Sequence, residues 1–274
     1  MRPCTIQQRR PALTGILFAY PIAPTIKSEE TLLAHVAVVT GGTRGIGHAI
    51  SIALKYQGYR VAATYAGNDA AARQFQAETG LPIYKWDVGD YAACEKGIAQ
   101  VTKDLGPVDV LVNNAGITRD AMLHRTTKEQ WDIVIRTDLD SVFNMCRLVI
   151  DSMRGRSFGR IINISSINGR KGQMGQTNYS AAKAGVYGFT KALAYETAAK
   201  GITVNTIAPG YIATEMVAAM PKEVLDTKII PLIPVGRLGQ PEEIARAVVF
   251  LAADEAGFVT GACFDINGGH YMAP

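Results

Sequence analysis

Tyr179 and Lys183 are four residues apart and could together move a proton at neutral pH. Side chains at this spacing share one face of a helix. A free phenol has a pKa near ~10 and exchanges protons poorly at pH 7, but a neighbouring ammonium favours the phenolate and lowers that pKa. The pair therefore suits acid–base chemistry at a reacting oxygen. Because such pairs also occur on ordinary amphipathic helices, this interpretation needs a second signal.

A glycine-rich stretch from Thr40 to Gly47, TGGTRGIG, provides that signal. It lies between the first apolar run and the first segment with helical spacing. Glycines allow a tight turn and let a pyrophosphate approach the helix N-terminus, where free N–H groups and the helix dipole favour negative charge. A ligand-free turn is the alternative, but the position after the first strand of an alternating series favours nucleotide binding.

The elements that must position these residues alternate along the chain from His35 onward. Seven apolar runs have the length of strands, and they span residues 36–40, 60–65, 82–85, 108–112, 160–164, 202–208 and 263–266. Continuous apolarity indicates burial on both faces of a parallel sheet. Segments with helical spacing lie between the runs, as at 46–56 and 181–199. The pattern predicts one α/β domain over 34–274, a doubly wound (Rossmann) fold with about seven parallel strands and helices on both faces.

The composition argues against several other classes of protein. The net charge is +4, and no Lys/Arg cluster is dense enough to predict a nucleic-acid partner. No run approaches the ~18 apolar residues of a membrane helix. The four cysteines and four histidines are dispersed without metal-ligand spacing, which predicts no bound metal and a reducing, cytoplasmic location.

Residues 1–33 differ from the rest of the chain. They contain three arginines and Lys27, and no acidic residue precedes Glu29. A basic, acid-poor segment can be a targeting sequence. Because it lacks a small-residue cleavage site and a clear helical period, we interpret it instead as a disordered N-terminal extension or a start site assigned too far upstream.

Five ordered motifs over about residues 35–272 resemble those of the short-chain dehydrogenase/reductase family. They are the G-x-x-x-G-x-G loop, Asn113–Gly116, Ser166, Tyr179-x-x-x-Lys183 and Pro209-Gly210. The resemblance implies hydride transfer from a nicotinamide to a carbonyl that Ser166 orients and Tyr179 protonates, in a homotetramer. The positions implied to bind the cofactor are Gly41, Thr43, Arg44, Gly45, Ile46, Gly47, Asp87, Val88, Asn114, Ala115, Gly116, Ile117, Thr118, Tyr179, Lys183, Pro209, Gly210, Ile212 and Thr214.

The end of the second strand favours NADPH over NADH. An acidic residue there would bind the ribose 2′-hydroxyl and repel a 2′-phosphate, but the stretch from Thr64 to Asn68 contains none, and the first acid is Asp69. Arg44 in the glycine loop offers a cation for the phosphate.

Asp138 departs from the family pattern, which usually has an asparagine at this position to support a water relay to the lysine. An ionised aspartate accepts hydrogen bonds but cannot donate as an amide does. Asp138 could still hold a water or the Lys183 ammonium, so we include it among the catalytic candidates with Ser166, Tyr179 and Lys183.

A narrower resemblance, to the acetoacetyl-CoA reductases of polyhydroxybutyrate synthesis, rests on residues 113–120, 165–179 and 209–216. It implies an acyl-CoA thioester substrate and a mobile lid over 211–235. The residues implied to contact the acyl group are Asp120, Gln173, Gln176 and Tyr211.

The sequence is compatible with more than one function. A 3-oxoacyl-[acyl-carrier-protein] reductase of fatty-acid synthesis would share all the catalytic residues, and the range of acyl chain lengths is not determined. A non-catalytic nucleotide-sensing regulator is a remoter alternative. Arg170 and Lys171 could pair with coenzyme A phosphates or form an ordinary solvated pair.

Overall fold

A computed structural model describes residues 34–273, and a sheet of seven parallel strands lies at the centre of this region. The strands are β1 Val36–Val39, β2 Arg60–Tyr65, β3 Ile83–Lys85, β4 Val108–Asn113, β5 Gly159–Ile164, β6 Ile202–Pro209 and β7 Cys263–Ile266. Their order is β3-β2-β1-β4-β5-β6-β7. The winding therefore reverses between β1 and β4, and open α/β sheets bind ligands outside the strand ends at such a point. The predicted sheet is confirmed.

Ten α-helices connect the strands of the described region. They are α1 Gly45–Tyr56, α2 Asp69–Thr79, α3 Tyr91–Leu105, α4 Lys128–Ile135, α5 Ser141–Arg156, α6 Ile167–Lys171, α7 Thr177–Thr197, α8 Glu215–Ala218, α9 Lys222–Val224 and α10 Pro241–Ala252. Apolar residues of α3, α5 and α7 pack on one face of the sheet, and those of α1, α2 and α10 pack on the other. Helices thus cover both faces, as the sequence predicts.

The alternation of strand side chains explains why the apolar runs are continuous. Val36 and Val38 of β1 belong to the core layer with α3, α5 and α7, whereas Ala37 and Val39 belong to the layer with α1, α2 and α10. Successive side chains of a strand point to opposite faces. Because both faces are covered, every residue of β1 must be apolar.

Two helix boundaries matter for the site. The helix predicted over 181–199 begins earlier, at Thr177, and ends in a 3₁₀ turn at Ala198–Lys200. A π-helical turn at Arg136–Asp140 joins α4 to α5. Such turns add a residue to the helix and occur often at functional sites. No sequence signal predicted this one.

The predicted N-terminal extension, residues 1–33, lies outside the described residues. Between residues 34 and 273, no helix combines the length and apolarity needed to cross a membrane. The same region contains no group of three or more His, Cys, Asp or Glu side chains placed to hold a metal ion. Cys94, Cys146 and Cys263 are free thiols.

Candidate active site

A cleft of about 690 Å³ opens at the carboxyl ends of the strands, where the winding of the sheet reverses. It brings together most of the residues predicted to bind the cofactor. Those that line it are Gly41, Thr43, Arg44, Gly45, Ile46, Asp87, Val88, Asn114, Ala115, Gly116, Ile117, Tyr179, Lys183, Pro209, Gly210, Ile212 and Thr214. Ser166 lines the same cleft. Trp86, Thr137 and Ser165 also line it and were not predicted as site residues. Trp86 and Thr137 belong to none of the motifs, and Ser165 directly precedes the motif residue Ser166.

Gly47 and Thr118 do not line the cleft, and their contact with the cofactor stays a prediction. Gly47 is buried beneath the loop. A Cβ atom there would lie 2.2 Å from the Gly41 carbonyl oxygen and 2.6 Å from Asn114 Nδ2. This position therefore has to be glycine because the loop packs against it.

The glycine loop is tied to the loop that follows β4. The backbone N–H groups of Asn114 and Ala115 donate to Thr40 Oγ1 at 2.9 and 3.0 Å, and Asn114 Nδ2 donates to the Thr40 carbonyl at 2.9 Å. Asn114 is thus positioned by the loop and in turn holds it. These bonds keep the two walls of the cleft at a constant spacing.

The N-terminus of α1 fits an anionic pyrophosphate. Arg44 is the N-cap residue, its side chain makes no capping hydrogen bond, and the first turn carries no acidic side chain. The first N–H groups of a helix have no partner within the helix. Those of α1 are therefore available to an anion, and the helix dipole favours one.

The wall formed by the end of β2 presents no carboxylate to the cleft. A ribose 2′-hydroxyl would need such an acceptor, whereas a 2′-phosphate would be repelled by it. Residues 64–68 line the cleft, but Asp69 does not. The Asp69 carboxylate lies 2.9 Å from Lys85 Nζ. Asn68 is also occupied, since its side chain accepts a hydrogen bond from the Ala71 N–H at 3.0 Å. The first acid after β2 is therefore neutralised by a lysine.

Tyr179 and Lys183 lie on the first two turns of α7, and both side chains reach the cleft. Lys183 Nζ is 5.6 Å from the centroid of the Tyr179 ring. Ser166 is the N-cap residue of α6, and its Oγ accepts a hydrogen bond from the Asn168 N–H at 3.1 Å. Because this bond uses a lone pair of the oxygen, the hydroxyl hydrogen remains free to donate to a carbonyl in the cleft.

The pKa of Tyr179 is raised on balance, although the Lys183 ammonium lowers it as the sequence predicts. Burial raises this pKa above the ordinary value of 10.0, and the Lys183 charge and a hydrogen bond with Ser166 lower it less than burial and Asp138 raise it. The Asp138 carboxylate behind Lys183 opposes the effect of the ammonium. The phenol is therefore held as a proton donor at neutral pH.

Asp138 is buried behind Lys183 and does not line the cleft. The π-helical turn directs its carboxylate inward, where Oδ2 lies 3.3 Å from Lys183 Nζ and Oδ1 accepts from the Ile117 N–H at 2.9 Å. Lys183 also donates to the Ile164 carbonyl at 3.1 Å. Burial is the strongest single influence and lowers the pKa of Lys183, but Asp138 and Tyr179 together raise it more, so the pKa is raised on balance. Asp138 thus keeps the lysine charged.

The four residues predicted to contact the acyl group do not line the cleft, and each has a partner within the protein. Gln176 Nε2 donates to Asp120 at 2.8 Å, and Gln176 Oε1 accepts from Asn168 Nδ2 at 2.9 Å. Gln173 accepts from the Lys171 ammonium, and the Tyr211 ring stacks on His270 with centroids 5.7 Å apart. Gln176 therefore links Asp120 to the Ser166 turn.

Asn168 and His270 were missed by the sequence analysis. Asn168 follows Ser166 by two residues, the usual spacing for a turn that caps its own helix, and that spacing could have identified it. His270 lies far from every motif in the chain. In the predicted lid, Glu215 and Val217 line the cleft together with Ile212 and Thr214.

Arg170 is engaged within the protein. Its Nε lies 3.3 Å from Asp265 on β7, and its guanidinium packs on the Tyr187 ring at 4.5 Å. Its suggested pairing with a coenzyme A phosphate would have to compete with these two contacts and stays a prediction. Lys171 is exposed and contacts Gln173.

Comparison with known proteins relates the chain to named reductases. Residues 41–271 match the family described as enoyl-(acyl carrier protein) reductase. The acetoacetyl-CoA reductase of Shinella zoogloeoides is 68% identical over 240 residues, covering 88% of this chain and 100% of the relative. That of Rhizobium meliloti (strain 1021) is 66% identical over 241 residues, with coverage of 88% and 100%. A 3-oxoacyl-[acyl-carrier-protein] reductase of Haemophilus influenzae is 45% identical over 240 residues, covering 87% and 98%. The similarity thus spans most of this chain and is higher to the relatives named for CoA.

Proposed function

The chain belongs to the short-chain dehydrogenase/reductase family of oxidoreductases, and we propose that it reduces acetoacetyl-CoA to (R)-3-hydroxybutyryl-CoA with NADPH. The observation that carries the proposal is the placing of Ser166, Tyr179 and Lys183 in one cleft with the glycine loop. The fit of α1 to a pyrophosphate supports a dinucleotide cofactor. Arg44 in the cleft and the neutralised Asp69 favour NADPH over NADH. The R product is inferred from the family resemblance.

Each residue of the site has a separate role in the reduction. When bound, the nicotinamide supplies hydride to the carbonyl carbon. Ser166 donates a hydrogen bond to the carbonyl oxygen and orients it. Tyr179 transfers its proton to that oxygen as negative charge develops there. Lys183 stabilises the phenolate that remains, and Asp138 holds Lys183 in place through their 3.3 Å contact. Bulk solvent then returns a proton to Tyr179.

The catalytic residues suit a thioester of either coenzyme A or acyl carrier protein, and the relatives favour coenzyme A. The two relatives at 66–68% identity are named for acetoacetyl-CoA, whereas the one named for carrier-protein thioesters is 45% identical. The polar chain of Asp120, Gln176 and Asn168 beside Ser166 suits a short acyl group. We further propose a cytoplasmic homotetramer that serves polyhydroxybutyrate synthesis.

A substrate panel tests this assignment. With NADPH, we expect kcat/KM to be highest for acetoacetyl-CoA and to fall once the acyl chain exceeds about six carbons, because the polar groups of Asp120, Gln176 and Asn168 offer a longer alkyl chain no apolar surface. The panel pairs each ketoacyl-CoA with its carrier-protein thioester and includes crotonyl-CoA as the enoyl control. If the carrier-protein thioesters are preferred at every length, the fatty-acid assignment replaces this one. Turnover of crotonyl-CoA alone would instead support enoyl reduction.

Arg44 is expected to recognise the 2′-phosphate. Arg44→Ala should lower kcat/KM for NADPH about tenfold to a hundredfold and change that for NADH much less, because a hydrogen bond to a charged group contributes about 1.5–3 kcal/mol. Arg44→Lys, which keeps the charge, serves as the matched control. Equal losses with both cofactors would show that Arg44 does not contact the phosphate.

Asp138→Asn is expected to keep kcat within about tenfold of wild type, or ~1.4 kcal/mol in the barrier, and to change the pH profile. The charge of Asp138 raises the pKa of Tyr179, so its removal lowers that pKa. Because the donor must be protonated, the decline of the reduction rate at alkaline pH should move to lower pH. The measurement is kcat against pH at saturating NADPH. An unchanged alkaline limb would separate Asp138 from Tyr179, and a collapse to background would mean that the carboxylate itself is required.

A further inference from the structure

Tyr187 contacts both ends of the short helix that follows Ser166. It lies on α7, two turns beyond Tyr179. Its hydroxyl donates to the Ser166 carbonyl oxygen at 2.7 Å, and its ring lies beneath the guanidinium of Arg170, with Cζ 4.5 Å from the centroid. Ser166 caps the start of α6 and Arg170 is in its last turn. One side chain therefore holds the whole of α6.

Two further contacts fix the position of α6. Asp265 on β7 pairs with Arg170 at 3.3 Å, with 17% and 23% of the two side chains exposed, so the guanidinium is held from both sides. In the middle of α6, a Cβ added to Gly169 would lie 2.7 Å from the Lys183 carbonyl carbon. Helix α6 is thus in backbone contact with α7 at the catalytic lysine.

The position of the Ser166 hydroxyl depends on this packing. Ser166 Oγ accepts from the Asn168 N–H at 3.1 Å, which fixes the oxygen relative to the first turn of α6. Ser166 and Tyr179 line the same cleft, and Ser166 is among the influences that lower the pKa of Tyr179. If the Ser166–Asn168 turn rotated, Oγ would move away from the proton donor.

We propose that Tyr187 is a positioning residue of the reductase, which anchors the Ser166 carbonyl and thereby holds the Ser166 hydroxyl against Tyr179. The proposal rests on the proposed function in that ketone reduction is its readout. Burial raises the pKa of Tyr187 to about 12. Its hydroxyl therefore stays protonated throughout the neutral range and can donate its hydrogen bond to the Ser166 carbonyl oxygen.

The first test is Tyr187→Phe, which removes the hydroxyl and keeps the ring beneath Arg170. We expect kcat for acetoacetyl-CoA to fall about tenfold, since small displacements of a reacting group are costly. The NADPH dissociation constant, KM and Tm should stay close to those of wild type. Tyr195→Phe is the matched control, because Tyr195 is on the same helix and 91% exposed. A Tyr187→Phe enzyme with kcat within twofold of wild type would overturn the proposal.

The second test asks whether Tyr187 acts through Ser166. In a Ser166→Ala background, Tyr187→Phe should cause no further loss, because residues that act as a unit are not additive. An equal fold-change in both backgrounds would overturn the proposal. Should Tyr187→Phe yield no folded protein, Asp265→Asn loosens Arg170 instead, and its smaller loss of kcat should likewise vanish in Ser166→Ala.

The same data separate this proposal from the assignment of substrate. If wild-type enzyme fails on acetoacetyl-CoA but reduces another ketone, the proposed function fails and the double-mutant cycle is run with that ketone. The ratios between variants then decide the role of Tyr187.

Discussion

Replacing Tyr179 with phenylalanine is expected to lower kcat at least about a hundredfold, the low end for loss of a positioned acid. Tyr179 lines the cleft beside Lys183, and its pKa is held above the ordinary value of 10.0. Its hydroxyl is therefore protonated at neutral pH and can give a proton to the developing alkoxide. Phenylalanine keeps the ring over Lys183 and removes only the donor.

NADPH binding separates loss of chemistry from loss of the site. The dissociation constant of NADPH, followed by its fluorescence, should change little in Tyr179→Phe, because the glycine loop and its bonds to Asn114 and Ala115 are untouched. Turnover near the wild-type rate would remove Tyr179 from the mechanism.

Lys183→Met is expected to cost both activity and stability. Lys183 stabilises the phenolate that forms on Tyr179, and the loss of such a charge lowers kcat by about a hundredfold or more. The fully buried carboxylate of Asp138 would lose its cation, and its Oδ2 has no other hydrogen-bond partner among the described residues. Breaking a buried pair in this way destabilises a protein by about 3–5 kcal/mol. Urea unfolding and steady-state kinetics measure the two effects.

The double variant Asp138→Asn/Lys183→Met distinguishes the two roles. The double variant should regain much of the lost stability, because it contains no unpaired buried charge. It should regain none of the lost activity. The stability deficit of the single variant should also shrink as pH falls, because burial raises the pKa of Asp138 and protonation then neutralises it. A double variant as unstable as Lys183→Met, or a deficit independent of pH, would contradict this account of the pair.

The fold was predictable from the sequence because its strands are buried on both faces. That arrangement leaves uninterrupted apolar runs such as β1, and the glycine loop after β1 marks where the winding begins. The π-helical turn at Arg136–Asp140 was not predictable, since the apolar spacing and the motifs of this stretch do not distinguish it from continuous α-helix. Its consequence, the inward direction of Asp138, was therefore also beyond sequence reasoning.

The site was predictable where residue type alone determines the chemistry, as for Tyr179, Lys183 and Arg44. It was less predictable where a group can be satisfied by a neighbour distant in sequence. Gln176 is bound by Asp120 and Asn168, and Arg170 by Asp265 on β7. These pairings exist only once the loops after β4 and β5 meet each other and strand β7 at one edge of the sheet. The raised pKa of Tyr179 has the same origin, because it includes the charge of a carboxylate 41 positions earlier in the chain.

Isotope transfer tests most directly the claim that hydride passes from NADPH to the 3-keto carbon of an acyl-CoA. The enzyme is incubated with acetoacetyl-CoA and NADPH deuterated at nicotinamide C4, and the product is analysed by mass spectrometry and NMR. The account predicts 3-hydroxybutyryl-CoA with one deuterium on C3, beside the new hydroxyl group. If acetoacetyl-CoA remains unreduced although NADPH binds, or if deuterium enters only an enoyl thioester supplied in parallel, the account is contradicted.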